Sequence, residues 1–144
     1  MPFHPLFTHD DLALVNDAKR FVVEVHPAVA LWLWCREYNV TDWRYKGGQK
    51  QDGKRLAAAQ KRENARAHWR RLCERIPEAR DLAVPQDDDE LDAIIAWLLA
   101  MRWLRGDGVI LLGDRQAGSF LVPDVDDIAA AFAAFLSPGV CTAV

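Results

Sequence analysis

The chain has 144 residues, 51% of them hydrophobic and 27% charged, with a net charge of −3. That is enough for one domain with its own core, and the composition is that of a globular protein, not a disordered or collagenous one. No apolar run is long enough to span a bilayer, the first residues lack the basic and apolar regions of a secretory signal, and the odd set Cys35, Cys73 and Cys141 shows no CxxC spacing, which points to reduced thiols and a cytoplasmic location.

Met1 to Phe7 carries two prolines and no periodicity, and is expected to be an arm. Thr8 is a candidate cap for a short helix, with Asp10 and Asp11 in its first turn. His4 and His9 lie beside these acids at irregular spacing, a weak metal signal. Arg20 to His26, RFVVEVH, is the clearest strand, and its near-continuous apolarity predicts burial on both faces. No parallel neighbour for it is evident elsewhere in the chain. Pro27 suits the first turn of a helix that runs to Glu37.

Asn39 to Gly53 reads as a loop, with Gly47, Gly48 and Gly53 in it. Lys54 to Ile76 reads as a long, mostly polar helix with a thin apolar seam, and His68 on it is expected to be exposed. Pro77 to Pro85 is a connector. Gln86 to Arg105 is the best-specified helix: Asp87, Asp88, Asp89 and Glu90 sit where the macrodipole is positive. Leu91, Ile94, Ile95, Leu98, Leu99 and Met101 recur at helical spacing. With Trp97 and Trp103 the apolar surface covers most of the circumference, which predicts burial. Val109 to Leu112 and Ser119 to Val122 are short strands joined as a hairpin. Pro123 opens a last helix through Leu136.

These elements predict a single domain over 1–144: an arm and short helix (1–19), a core (20–123), and a C-terminal helix and tail (124–144). The fold class is α/β and helix-rich, with a small, about three-stranded mixed sheet flanked by helices. The strand without a neighbour predicts either an incomplete sheet or strands supplied by a second copy or another protein.

Two acids stand in apolar surroundings. Glu24 interrupts the predicted strand near its C-terminal end, where α/β folds bind ligands. Asp92 lies beside the apolar face of the 86–105 helix and shares a side with Asp88 and Asp89. A carboxylate there costs free energy unless it is paired or binds a cation. A strand-end Glu24 facing a pair of helix-borne Asp side chains is what a divalent metal site would need, since Mg²⁺ prefers a few carboxylate oxygens plus water. The competing reading is that each acid is paired within the protein. His26 fits a hydrogen-bonded structural role better than a ligand role.

Charge is unevenly distributed. From Arg44 to Arg75 there are eleven lysines and arginines against three acids, a balance of +8. From Glu78 to Asp92 there are seven acids and one arginine. A basic block beside an acidic cluster is compatible with a polyanion held near a metal; it is equally compatible with a solvated helix and its N-terminal charge. Arg44, Lys46, Lys50, Lys54 and Arg55 are the candidate nucleic-acid contacts, with Trp43 and Tyr45 available to stack on bases. No P-loop, dinucleotide fingerprint, zinc pattern or nucleophile elbow is present.

Val23-Glu24-Val25-His26-Pro27, then Tyr45-Lys46 and Lys54-Arg55, then Asp88-Asp89-Glu90-Leu91-Asp92-Ala93 with Trp97 following, resemble in order and spacing the C-terminal half of the DUF429 proteins. That family is a predicted nuclease family with an RNase H-like fold, and the resemblance runs from about Phe21 to Pro123. It implies a partial RNase H-like fold and acids that gather one or two divalent metals for phosphodiester hydrolysis. Glu24 then corresponds to the strand acid, and Asp89 and Asp92 to the helix acids. Nothing before Phe21 resembles the family's first strand, which carries an essential Asp.

Three functions follow as expectations. The first is a non-catalytic or degenerate module that binds a protein partner or dimerises through its unpaired strand. The second is a Mg²⁺- or Mn²⁺-dependent nuclease. The third is a polyanion-binding protein that uses the basic 44–75 segment.

Overall fold

The computed structural model describes residues 24–47, 50–51, 54–114, 118–126, 128 and 130–131. The expected arm, the first short helix, most of the 20–26 strand, the tail and Cys141 lie outside the described residues, as does the side chain of Lys50.

Strand β1 (Glu24–Val25) leads into helix α1 (Pro27–Glu37). Pro27 sits at the head of α1, where its missing N–H removes no helical bond. Ala30, Leu31, Leu33, Trp34 and Cys35 of α1 are buried. Asn39, with φ 56°, takes the left-handed turn that follows, a conformation Asn tolerates better than most residues. The Val40 N–H then donates to the Cys35 carbonyl at 2.7 Å.

Strands β2 (Lys50–Gln51) and β3 (Lys54–Arg55) form an antiparallel ribbon, with Gln51 opposite Lys54. The expected helix from Lys54 therefore begins later, as α2 (Ala58–Arg75). The pairing of Lys54 and Arg55 with Gln51 and Lys50 outweighs their helix propensity. A 3-10 turn (Pro77–Asp81) breaks the connector. Helix α3 (Asp88–Arg105) and the hairpin β4 (Val109–Asp114) and β5 (Gly118–Pro123) follow.

The sheet order is β1-β5-β4. Strand β4 pairs antiparallel with β5, from Val109 opposite Pro123 to Asp114 opposite Gly118. Strand β1 pairs parallel with β5, Glu24 with Phe120 and Val25 with Leu121. The small, three-stranded mixed sheet and the helix-rich α/β class are as the sequence predicts. The missing neighbour is not: β1 finds its parallel partner within the same chain, at the far end of the sequence. Nor is this part of the strand buried on both faces, since Glu24 is exposed and Val25 half-buried.

Helices α1 and α3 pack on each other and on β5, and α2 packs on α3. Trp34, Leu31, Leu33, Leu91, Ile95, Leu98, Leu99, Leu111 and Leu121 form one continuous core with Tyr45 and Leu72. Helix α3 is less enclosed than its composition predicts: Trp97 is 40% and Leu104 75% exposed. Its core side is filled by Leu91, Ile95, Leu98 and Leu99, with Ile94 and Trp103 packed against that core from its edge, and Trp97 and Leu104 are left on the outer side. No helix among the described residues is long and apolar enough to cross a membrane.

Candidate functional site

The first turn of α3 sorts its acids into different tasks. The Asp87 carboxylate accepts from the Glu90 N–H at 2.9 Å and caps the helix. Glu90 Oε2 accepts from the Gln86 N–H at 2.7 Å, a reciprocal arrangement close to a capping box. Asp89 is exposed. Asp88 and Asp92, one turn apart, face inward toward α2 and the segment before β2, with side chains only 20% and 22% exposed.

Asp92 is doubly engaged. The Tyr45 hydroxyl donates to Oδ1 at 2.5 Å, and Lys46 Nζ donates to Oδ2 at 2.5 Å. Tyr45 is fully buried. Burial first, and then the hydrogen bond to Asp92, push its hydroxyl well above the usual phenol range. It is thus a neutral donor at any ordinary pH. Lys46 also lies over the Tyr45 ring, 5.6 Å from its centre. Asp88 receives Lys61 Nζ of α2 at 3.2 and 3.4 Å. Gly47 lets that lysine pass: a Cβ there would meet Lys61 Nζ at 3.3 Å.

Helix α2 holds the Tyr45-Lys46 pair in place. Asn64 Nδ2 donates to the Arg44 carbonyl at 2.8 Å. His68, one turn on, is also hydrogen-bonded to the Arg44 backbone. Its Nδ1 lies 3.3 Å from Arg71 Nη1 and 3.8 Å from Cys35 Sγ. A guanidinium only donates, so Nδ1 is the acceptor and Nε2 carries the proton. Burial, and then the Arg71 charge, bring the imidazole down to about 4. His68 is 2% exposed, not the surface residue its polar helix suggested, because the Tyr45 ring packs edge-on against it at 6.2 Å between centroids. Cys35 is buried beside it, and burial raises its thiol to about 12, far from a reactive thiolate.

Glu24 and His26 form a separate pair: Nε2 of His26 lies 3.0 Å from Glu24 Oε1, with both side chains about half exposed or more. His26 also stacks edge-on against Phe120, at 4.9 Å. Among the described residues, no three His, Cys, Asp or Glu side chains gather as a group that could hold a metal ion. The structure does not bring Glu24, Asp89 and Asp92 together as such a set.

The nucleic-acid candidates divide as well. Arg44 binds Asp42 through Nε at 2.9 Å and Nη2 at 3.2 Å, and those bonds hold the Asp42 carboxyl below its usual range. Lys46 is committed to Asp92. Lys54 and Arg55 stand exposed on β3. Tyr45 is too deeply buried to stack on a base, whereas Trp43 is half-buried. Trp43 shares an open cleft of about 360 Å³ with Trp32, Arg36, Asn39, Val40 and Thr41. Sequence reasoning missed Asp88, Lys61, Asn64 and His68 as parts of one cluster. Their i, i+3 and i, i+4 spacing on α2 and α3 was the available signal.

A family model described as "Protein of unknown function (DUF429)" matches residues 4–117. It bears out the resemblance and extends it over the segment before Phe21. No curated protein and no solved structure matches the chain.

Proposed function

The chain belongs to the DUF429 family, and from that premise we propose that it is a non-catalytic member that acts by binding a protein partner. The observation that carries this is the state of Asp92. Its two oxygens are taken by Tyr45 and Lys46 at 2.5 Å each, and its neighbour Asp88 is taken by Lys61. The lysine charges stand where a divalent cation would have to sit. A metal would need to displace an ammonium from a half-buried carboxylate, at the cost of that pair's attraction. The same pairs explain the charge asymmetry of the sequence: part of the basic block answers the acidic cluster inside the protein.

The test is divalent-metal titration by calorimetry, together with incubation with single-stranded DNA, duplex DNA and RNA. The expected result is no saturable Mg²⁺ or Mn²⁺ binding at millimolar concentration and no cleavage above a metal-free control. Saturable binding and cleavage, both lost in Asp92→Asn, would overturn the reading in favour of a metal-dependent phosphodiesterase.

A further inference from the structure

Ala93, Trp97, Ala100 and Leu104 follow one another at four, three and four residues along α3, so they form a single straight stripe. At 3.6 residues per turn the stripe lies directly opposite Leu91, Ile95, Leu98 and Leu99, which hold α3 to the core. All four stripe residues are exposed, Trp97 at 40% and Leu104 at 75%. Among the described residues neither Trp97 nor Leu104 belongs to the buried core, and an indole and a leucine on the outer side of a helix mark an interaction surface.

The stripe alternates small and large, and it is complementary to itself. In an antiparallel pair of α3 helices, with the two-fold axis passing between Leu98 and Leu99, Trp97 meets the partner's Ala100 and Leu104 meets the partner's Ala93. Each large side chain falls on a small one, as knobs-into-holes packing requires. The charges agree with that register. Antiparallel pairing sets the acidic first turn of one helix beside the basic last turn of the other, which the opposed dipoles also favour. With a rise of 1.5 Å per residue, Glu90 falls about 3 Å along the axis from the partner's Arg105. Glu90 is exposed. The Arg105 side chain remains 49% exposed despite its ion pair with Glu78.

We propose that the outer face of α3 is a dimerisation surface for a second copy of this chain, in antiparallel register about Leu98 and Leu99. This deepens, and rests on, the reading of the protein as a binding module, since it names the partner and moves the interface from the sheet edge to a helix. One helix pair is a small interface, so association is expected to depend on concentration.

The experiment is sedimentation equilibrium over a concentration series with three variants. Trp97→Ala removes the knob, and Ala100→Trp fills the hole. Each alone is expected to weaken dimerisation by about tenfold or more. The double variant exchanges knob and hole within the same register and is expected to restore it. Helical circular dichroism reports that the variants fold. A monomer at every concentration overturns the proposal, as it would if another part of the chain covers Trp97. So does a dimer indifferent to the single changes, or one not rescued by the exchange. Metal binding and cleavage are separate readouts, so failure of the non-catalytic reading leaves this result interpretable.

Discussion

Asp92 and His68 are both polar groups placed where water is scarce, and the protein handles them in opposite ways. Asp92 is given partners: Lys46 supplies the opposite charge and Tyr45 a neutral donor. His68 gives its charge up. Its folded value of about 4 lies below the ordinary 6.5, so between those values the unfolded chain binds the extra proton. Stability is therefore complete above about pH 6.5 and is lost as pH falls toward 4. From pH 7 to pH 5 this one residue is expected to remove about 2 kcal/mol. Urea denaturation at the two pH values measures it, and His68→Gln is expected to flatten the difference. An unchanged pH slope in that variant would mean that His68 protonates freely in the folded state. The need for a partner at Asp92 was legible in the sequence, as a carboxylate on the shoulder of an apolar helix. Its partners were not, because Tyr45 and Lys46 lie 47 and 46 residues away. His68 was misjudged because a polar helix gives no local sign of the aromatic ring that covers it.

At the scale of the element, α3 shows how much of a helix is written at its ends. Four acids in a row marked the start correctly, but any of them could have capped; the backbone turns at Asp87, and Asp88 is thereby freed to face Lys61. At the other end Gly106 has φ 73°. Its N–H reaches the Trp103 carbonyl at 3.0 Å, and the Asp107 N–H reaches the Arg102 carbonyl at 3.1 Å, the two bonds of a Schellman motif. Gly106→Ala is expected to cost about 1 kcal/mol for the left-handed backbone. Asp87→Ala is expected to cost about the same for the lost cap. Because the two sites are far apart, the losses should add in the double variant, read as denaturation midpoints. A clearly sub-additive result would show that the helix frays from one end only. The start of α2 was placed too early for a different reason. Lys54 and Arg55 are good helix formers, and only their pairing with Lys50 and Gln51 draws them into a ribbon.

The whole molecule is closed by a strand at its far end. Both members of the hairpin were legible from β-branched and aromatic runs around a glycine-containing turn. That the second of them also receives β1 was not, since parallel pairing across most of the chain leaves no local pattern. In the order β1-β5-β4, β5 is central, and it supplies the buried Leu121 and Val122 to the core between α1 and α3. The family match ends at residue 117, one residue before β5 begins. A chain cut there keeps every acid and lysine of the Asp92 cluster and loses the strand that joins the two outer strands. If β5 organises the molecule, the 1–117 chain is expected to lose cooperative unfolding and to expose apolar surface from α1 and α3. Thermal melting by circular dichroism and binding of a hydrophobic dye measure the two effects. A sharp transition near that of the full chain would instead assign cohesion to the helices alone, with the sheet as an addition to a helical core.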